Sequence, residues 1–172
     1  MSGTIAASGN VMSLVDSTMV STVIPGSHCF RYLFRDCTSL TTAPALPATT
    51  VTAACYREMF SGCTGLTTAP ALPATTGATA CYREMFSGCT GLTTAPALPA
   101  TALANSCYYQ MFQGCTGLSS IEVSFTSWTQ APNQTTGWVN NVASSGTFTK
   151  PTALAVEYGV HRIPTGWTVV DK

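Results

Sequence analysis

Eight cysteines stand at positions 29, 37, 55, 63, 81, 89, 107 and 115. The gaps alternate between 8 and 18, so every cysteine recurs 26 positions later. A fixed period of this size means one short supersecondary unit, copied and stacked into a solenoid. No stacked copy can bury its apolar face alone, so the period constrains the architecture more than any local motif.

Four copies open with Cys29–Cys37, Cys55–Cys63, Cys81–Cys89 and Cys107–Cys115. The second and third are identical, CYREMFSGC, and the fourth reads CYYQMFQGC. A T-G-L-T-T-A-P-A-L-P-A-T run follows in copies two and three; copy one has Ser39 in place of the glycine, and copy four departs after Leu118 into SSIEVSF. Cys55, Met59 and Cys63 lie at i, i+4 and i+8, the spacing of an apolar stripe on a helix. Gly62, Gly88 and Gly114, with Asp36 in copy one, fall where a short helix needs a left-handed C-terminal residue. Ser27, Thr79 and Asn105 are candidate N-caps, with Ala53 at that place in copy two. The second half of each copy predicts a short strand with Leu40, Ala43 and Ala45 and their equivalents inward. In copy four Leu118, Ile121 and Val123 fill the same skeleton. Thr42, Thr68, Thr94 and Ser120 are then outward, beside Pro44, Pro70, Pro96 and Glu122. Proline lacks a ladder donor, so each strand must be very short or end at its proline.

Strand, turn, short helix and extended return predict a leucine-rich-repeat solenoid of α/β class, with a short parallel sheet on one face and short helices on the other. The M-F-x-G-C-T-G-L run followed by a strand resembles BspA-type leucine-rich repeats of surface proteins from gut and oral anaerobic bacteria. The resemblance covers about residues 29–121 and implies an adhesive or recognition role at a cell surface, with no cofactor. Alanine and proline stand where that family has larger aliphatics, which predicts a thin core.

The domain reading is an N-terminal cap over 1–28, four repeats over 29–121, the fourth degenerate at its end, and a β-rich C-terminal cap over 122–172. At a strand spacing of roughly 4.8 Å the four rungs form a sheet about 20 Å long, and such an array needs caps. Trp128, Trp138 and Trp167 all lie in the last segment, with strand candidates at 146–150 and 166–171.

Seven basic and seven acidic residues give no net charge, and only 8% of residues are charged, against about 25% in ordinary domains. No basic stripe exists for nucleic acid or an anionic membrane, and no apolar run reaches transmembrane length. The N-terminus lacks a charged n-region and a continuous apolar segment, so it does not read as a signal peptide. An extracellular or cell-surface place then implies a signal removed or supplied by a longer chain; a virion component is the alternative.

Eight cysteines in an extracellular setting raise the question of disulfides. Within one helical copy they would be separated by about 12 Å, beyond the roughly 7 Å limit for a bridge. Bridges between rungs remain geometrically open, but two ladders of buried free thiols (Cys29, Cys55, Cys81, Cys107 and Cys37, Cys63, Cys89, Cys115) are the expected arrangement. The spacing lacks the close pairs of a zinc site. His28 precedes Cys29, His161-Arg162 reads as a turn, and Glu58 and Glu84 are copies of one position offset by Arg57 and Arg83. None of these forms a catalytic constellation, so no enzyme, metal or cofactor is expected. The hydroxyl and proline face and the C-terminal aromatics remain as candidate surfaces for a protein or glycan on a host or bacterial surface. The alternative is a structural spacer that self-associates without a ligand.

Overall fold

The computed structural model describes residues 3–18 and 20–172. Met1, Ser2 and Met19, part of the segment read as the N-terminal cap, lie outside the described residues. Among the described residues there is no α-helix. The helical elements are limited to one short 3-10 turn at Val11–Leu14, whose Asn10 side chain accepts the Met12 N–H. The helix-bearing leucine-rich-repeat reading is therefore overturned.

Each Cys-to-Cys segment is instead a flat ribbon of overlapping four-residue turns. In the first ribbon, the N–H groups of Arg31, Leu33, Arg35 and Cys37 close local turns onto the carbonyls three residues back. The alternate groups, His28, Phe30, Tyr32, Phe34 and Asp36, donate to Ala53, Cys55, Arg57, Met59 and Ser61 of the next ribbon at 2.7–3.1 Å. Thus half of the donors shape the ribbon and half bind the next rung. A run of right-handed residues would coil into a helix. Here a left-handed residue interrupts every fourth position: φ is 62, 65 and 58° at His28, Tyr32 and Asp36, and 52, 54 and 76° at Ala54, Glu58 and Gly62. The glycines read as helix ends are the third such position of each ribbon.

The period of four explains why the sequence looks helical. Cys55, Met59 and Cys63 share a face in either structure, and all three are fully buried. The ribbon buries them in pairs, Cys55 with Tyr56 and Met59 with Phe60, and turns Arg57, Ser61 and Gly62 away. Stacking aligns identical side chains. Phe30, Tyr56, Tyr82 and Tyr108 form one aromatic column with ring centroids 5.7–5.9 Å apart. Phe34, Phe60, Phe86 and Phe112 form a second, at 5.5–5.9 Å and 3–7° between planes.

Strand β1 (Ile5–Ala6) pairs in parallel with β2 (Leu40–Thr42). At the other end β3 (Ser120–Glu122), β4 (Thr147–Lys150) and β5 (Thr168–Asp171) form a parallel sheet. Between them the sheet shrinks to isolated bridges, Thr42 to Thr68 and Thr94 to Ser120. Alanine and proline at these rungs give little side chain to pack and remove donors.

Inside the segment read as a C-terminal cap, residues 132–141 build a fifth ribbon without cysteines. Tyr108, Gln110, Phe112 and Gly114 donate to Gln134, Thr136, Trp138 and Asn140, and Asn133, Gly137 and Asn141 have positive φ. Trp138 stands at the methionine place of Met111, and Val139 at that of Phe112. This rung is 27 rather than 26 residues on, and its side chains share no residue type with the others, so a cysteine-based period misses it. Copy four also differs from its sequence alignment. Val123 bridges Leu98, not Ala97, because one residue is missing there, and it fills the column of Leu46, Leu72 and Leu98.

Gly65, Gly91 and Gly117 allow a close approach between rungs. A Cβ on them would lie 2.6–2.8 Å from the backbone oxygens of Thr38, Thr64 and Thr90. Ser39 occupies the equivalent place in the first copy, over which no ribbon lies among the described residues. Gly91→Ala is expected to cost roughly 1–3 kcal/mol, the range for an inserted methyl with no room, in urea unfolding. Ala54→Gly and Ala80→Gly separate ribbon from helix. In a helix interior each would cost about 1 kcal/mol, whereas at φ near +53° glycine relieves strain and each variant is expected to be at least as stable as the parent.

Candidate functional site

Over the first three repeats the strand side is a surface without charge. No charged residue occurs between Asp36 and Arg57, between Glu58 and Arg83, or between Glu84 and Glu122. Thr42, Thr68 and Thr94 are exposed and Ser120 is half-buried. The bridges and strand register continue this hydroxyl column through Thr147 and Thr168, two members that the 26-residue period does not reveal. A second column, Thr41, Thr67, Thr93 and Ser119, runs beside it; Thr41 is half-buried and the other three are exposed. Alternation counted back from Ala43 would send Thr41 inward, whereas the backbone turns a corner between Leu40 and Ala43, so Leu40 is the inward residue.

The proline row sits differently from its sequence placement. Pro44 and Pro96 are buried and Pro70 is half-buried, while Ala45, Ala71 and Ala97 are exposed. Proline and alanine have exchanged faces because the backbone departs from strand alternation after the threonines. The outer surface is therefore threonine and alanine, with a shallow groove of about 350 Å³ between the Pro44-Ala45 and Pro70-Ala71 rungs. Glu122 is exposed and paired with Lys172 at 2.6 Å.

On the opposite edge, the ribbon carries the repeat charges. Glu58 is 5% exposed and held by Arg35 of the preceding rung at 2.8 Å and by Arg57 at 3.1 Å. Arg83 pairs with Glu84 and lies over the Tyr109 ring. These are compensated pairs rather than an acid and a base facing a common substrate.

The eight cysteines are free thiols. Six are fully buried; Cys29 is half-buried and Cys37 exposed, since no ribbon covers the first one. Cys63, Cys89 and Cys115 donate to the carbonyls of Phe34, Phe60 and Phe86 at 3.0–3.1 Å. Burial raises the thiols of Cys55 and Cys63 to about 11 and those of Cys107 and Cys115 to about 12, from an ordinary 9.0. Burial also raises Cys29, the reverse of an activated nucleophile. No hydrogen bond joins His28 to Cys29 among the described residues. No group of three or more His, Cys, Asp and Glu side chains converges to hold a metal among them either, and no helix is long and apolar enough to cross a membrane.

The C-terminal aromatics are mostly interior. Trp128, Trp138 and Trp167 are at most 5% exposed, and each indole N–H donates to a backbone carbonyl, of Ala155, Arg162 and Ala143 respectively. They fasten the last segment onto the fifth rung. His161 serves the same purpose: its Nδ1 accepts the Gly137 N–H at 2.7 Å, the place a sixth ribbon's carbonyl would take. Beside it opens a cleft of about 470 Å³ between residues 128–136 and His161-Arg162.

Comparison of the chain with protein-family models, with curated proteins and with solved structures gave no match.

Two outcomes test the thiol placement. Under native conditions Cys37 is expected to alkylate quickly and Cys29 slowly, with the other six reacting only on unfolding; mass spectrometry counts the adducts. Stability is also expected to fall at alkaline pH. Above pH 9 the unfolded thiols ionise while the buried ones stay protonated until about 11–12, so each contributes stability below pH 9 that is lost as pH rises through that window. The melting temperature across pH 7 to 11 reads this directly.

Proposed function

We propose that this chain is a non-enzymatic recognition module displayed on the surface of a bacterium or a phage, with a protein or glycan as partner. The observation that carries the reading is the strand side of the first three repeats, where no charge occurs and two hydroxyl columns recur once per rung on a backbone locked by neighbouring rungs. A rigid periodic surface loses little conformational entropy on binding, and its hydroxyls both donate and accept. Hydroxyls without charge suit a neutral partner rather than a nucleic acid. The resemblance of the M-F-x-G-C-T-G-L run to BspA-type repeats supports a surface location, with the helical fold of that family set aside. Raised, buried thiols and compensated carboxylates support the absence of catalysis.

A second reading, a structural spacer that stacks end to end, is favoured by the distribution of exposed apolar side chains. Among the described residues Ile5, Leu14, Val15, Val20, Val23 and Leu33 lie at one end and Val156, Val160 and Val170 at the other, with no large exposed hydrophobic residue between Phe34 and Ala155.

A screen against neutral glycans and matrix proteins tests the first reading. Saturable binding that Thr68→Glu and Thr94→Glu together abolish, without loss of melting temperature, is expected. A chain that binds nothing and grows in mass with concentration in light scattering is the spacer.

A further inference from the structure

The fifth ribbon is the last of the stack, and its rung-to-rung donors have no sixth ribbon to meet. The last segment replaces that ribbon at two places only: His161 takes the Gly137 N–H and the Val160 carbonyl takes that of Val139 at 3.4 Å. Thr135 is left over. It stands at the place of Tyr108, whose N–H donates to Gln134 at 2.9 Å. The equivalent N–H of Thr135 has no hydrogen-bond acceptor among the described residues, although the residue is 1% exposed. It lines the cleft of about 470 Å³, within the size range of small-ligand sites.

The amide and imidazole acceptors around this cleft are already engaged by protein donors. Gln134 Oε1 accepts the Ala131 N–H and Gln130 Oε1 that of Leu103, both at 2.8 Å. Asn133 Oδ1 accepts the Thr136 hydroxyl at 3.4 Å, and His161 Nδ1 is occupied as described. Because Nδ1 accepts, the proton of the neutral ring is on Nε2, which is a donor. Arg162 gives Nε to Glu157 at 2.9 Å and one Nη1 hydrogen to the His161 carbonyl at 3.1 Å, leaving the second Nη1 hydrogen and both on Nη2. The free N–H capacity is the Thr135 backbone, the Asn133 amide NH₂, His161 Nε2–H and the remaining Arg162 Nη hydrogens, beside the Thr129, Thr135 and Thr136 hydroxyls that line the cleft and suit either role.

We propose that this cleft binds the carboxylate of a small ligand of monosaccharide size, with a sugar acid as the best fit. An ionised carboxylate offers only acceptors, supplies the Thr135 N–H with the partner a sixth rung would have given, and makes charge-assisted bonds with Arg162. The site is separate from the hydroxyl columns and does not depend on their role.

The test is titration of the full ¹⁵N-labelled chain with glucuronate, glucose and sulfate. Glucuronate is expected to saturate with a Kd on the order of 1 mM and to shift the Thr135 amide and the Asn133 side chain, while glucose and sulfate leave them in place. Asn133→Asp keeps the size and suits the left-handed backbone at this position (φ 53°); its negative charge is expected to weaken glucuronate roughly tenfold or more. Arg162→Met is expected to weaken it likewise, with near-UV circular dichroism of the tryptophans confirming that the cap is intact. Equal shifts with glucose or sulfate, shifts confined to other residues, unaltered binding in a folded Asn133→Asp variant, or no saturation would overturn the proposal.

Discussion

The fold depends on the division of backbone donors in each ribbon. One N–H in two closes a local turn, and the other reaches the next rung. The division is possible only because a left-handed residue recurs every four positions and prevents the turns from winding into a helix. Among the described residues, all eleven non-glycine residues with positive φ lie in the ribbons. Each carries an unfavourable backbone energy, on the order of 1–2 kcal/mol for an ordinary side chain. Five hydrogen bonds per junction and the stacked aromatic columns offset it, so a single ribbon has no reason to be stable alone.

Stacking also explains where the chemistry is. Repetition places each side chain above its own copy, so like charges would repel along the stack. The repeats respond by carrying neutral residues on the strand side and Arg–Glu pairs on the ribbon edge. The same repetition buries the thiols in low-dielectric columns and holds them protonated. What is left for recognition is hydroxyl and methyl on the side, and unspent donors at the end where the stack stops.

The stack and the cysteine columns were legible because they follow from the period, and the outward threonines because they follow from the short-strand pattern in the second half of each copy. The secondary structure was not. Cys55, Met59 and Cys63 fit a period of 3.6 or of 4 equally well over nine residues, and the glycines suit a helix end or a ribbon turn. The fifth rung was hidden because Gln134, Trp138 and Val142 share only position, not residue type, with Cys107, Met111 and Cys115. The exchange of proline and alanine faces was hidden because strict alternation fails where the chain turns after Thr42.

The sequence by itself determined that identical units stack in register, and which columns would be apolar, hydroxyl or charged, because a 26-residue period acts through composition at each place. Only the tertiary structure decided the ribbon conformation, since a left-handed residue such as Ala54 or Glu58 is tolerable only when the next rung takes its N–H. It alone decided the terminal cleft too: the unpaired Thr135 donor and the His161 cap arise from where stacking ends, and Gly137 and His161 lie 24 residues apart in the chain.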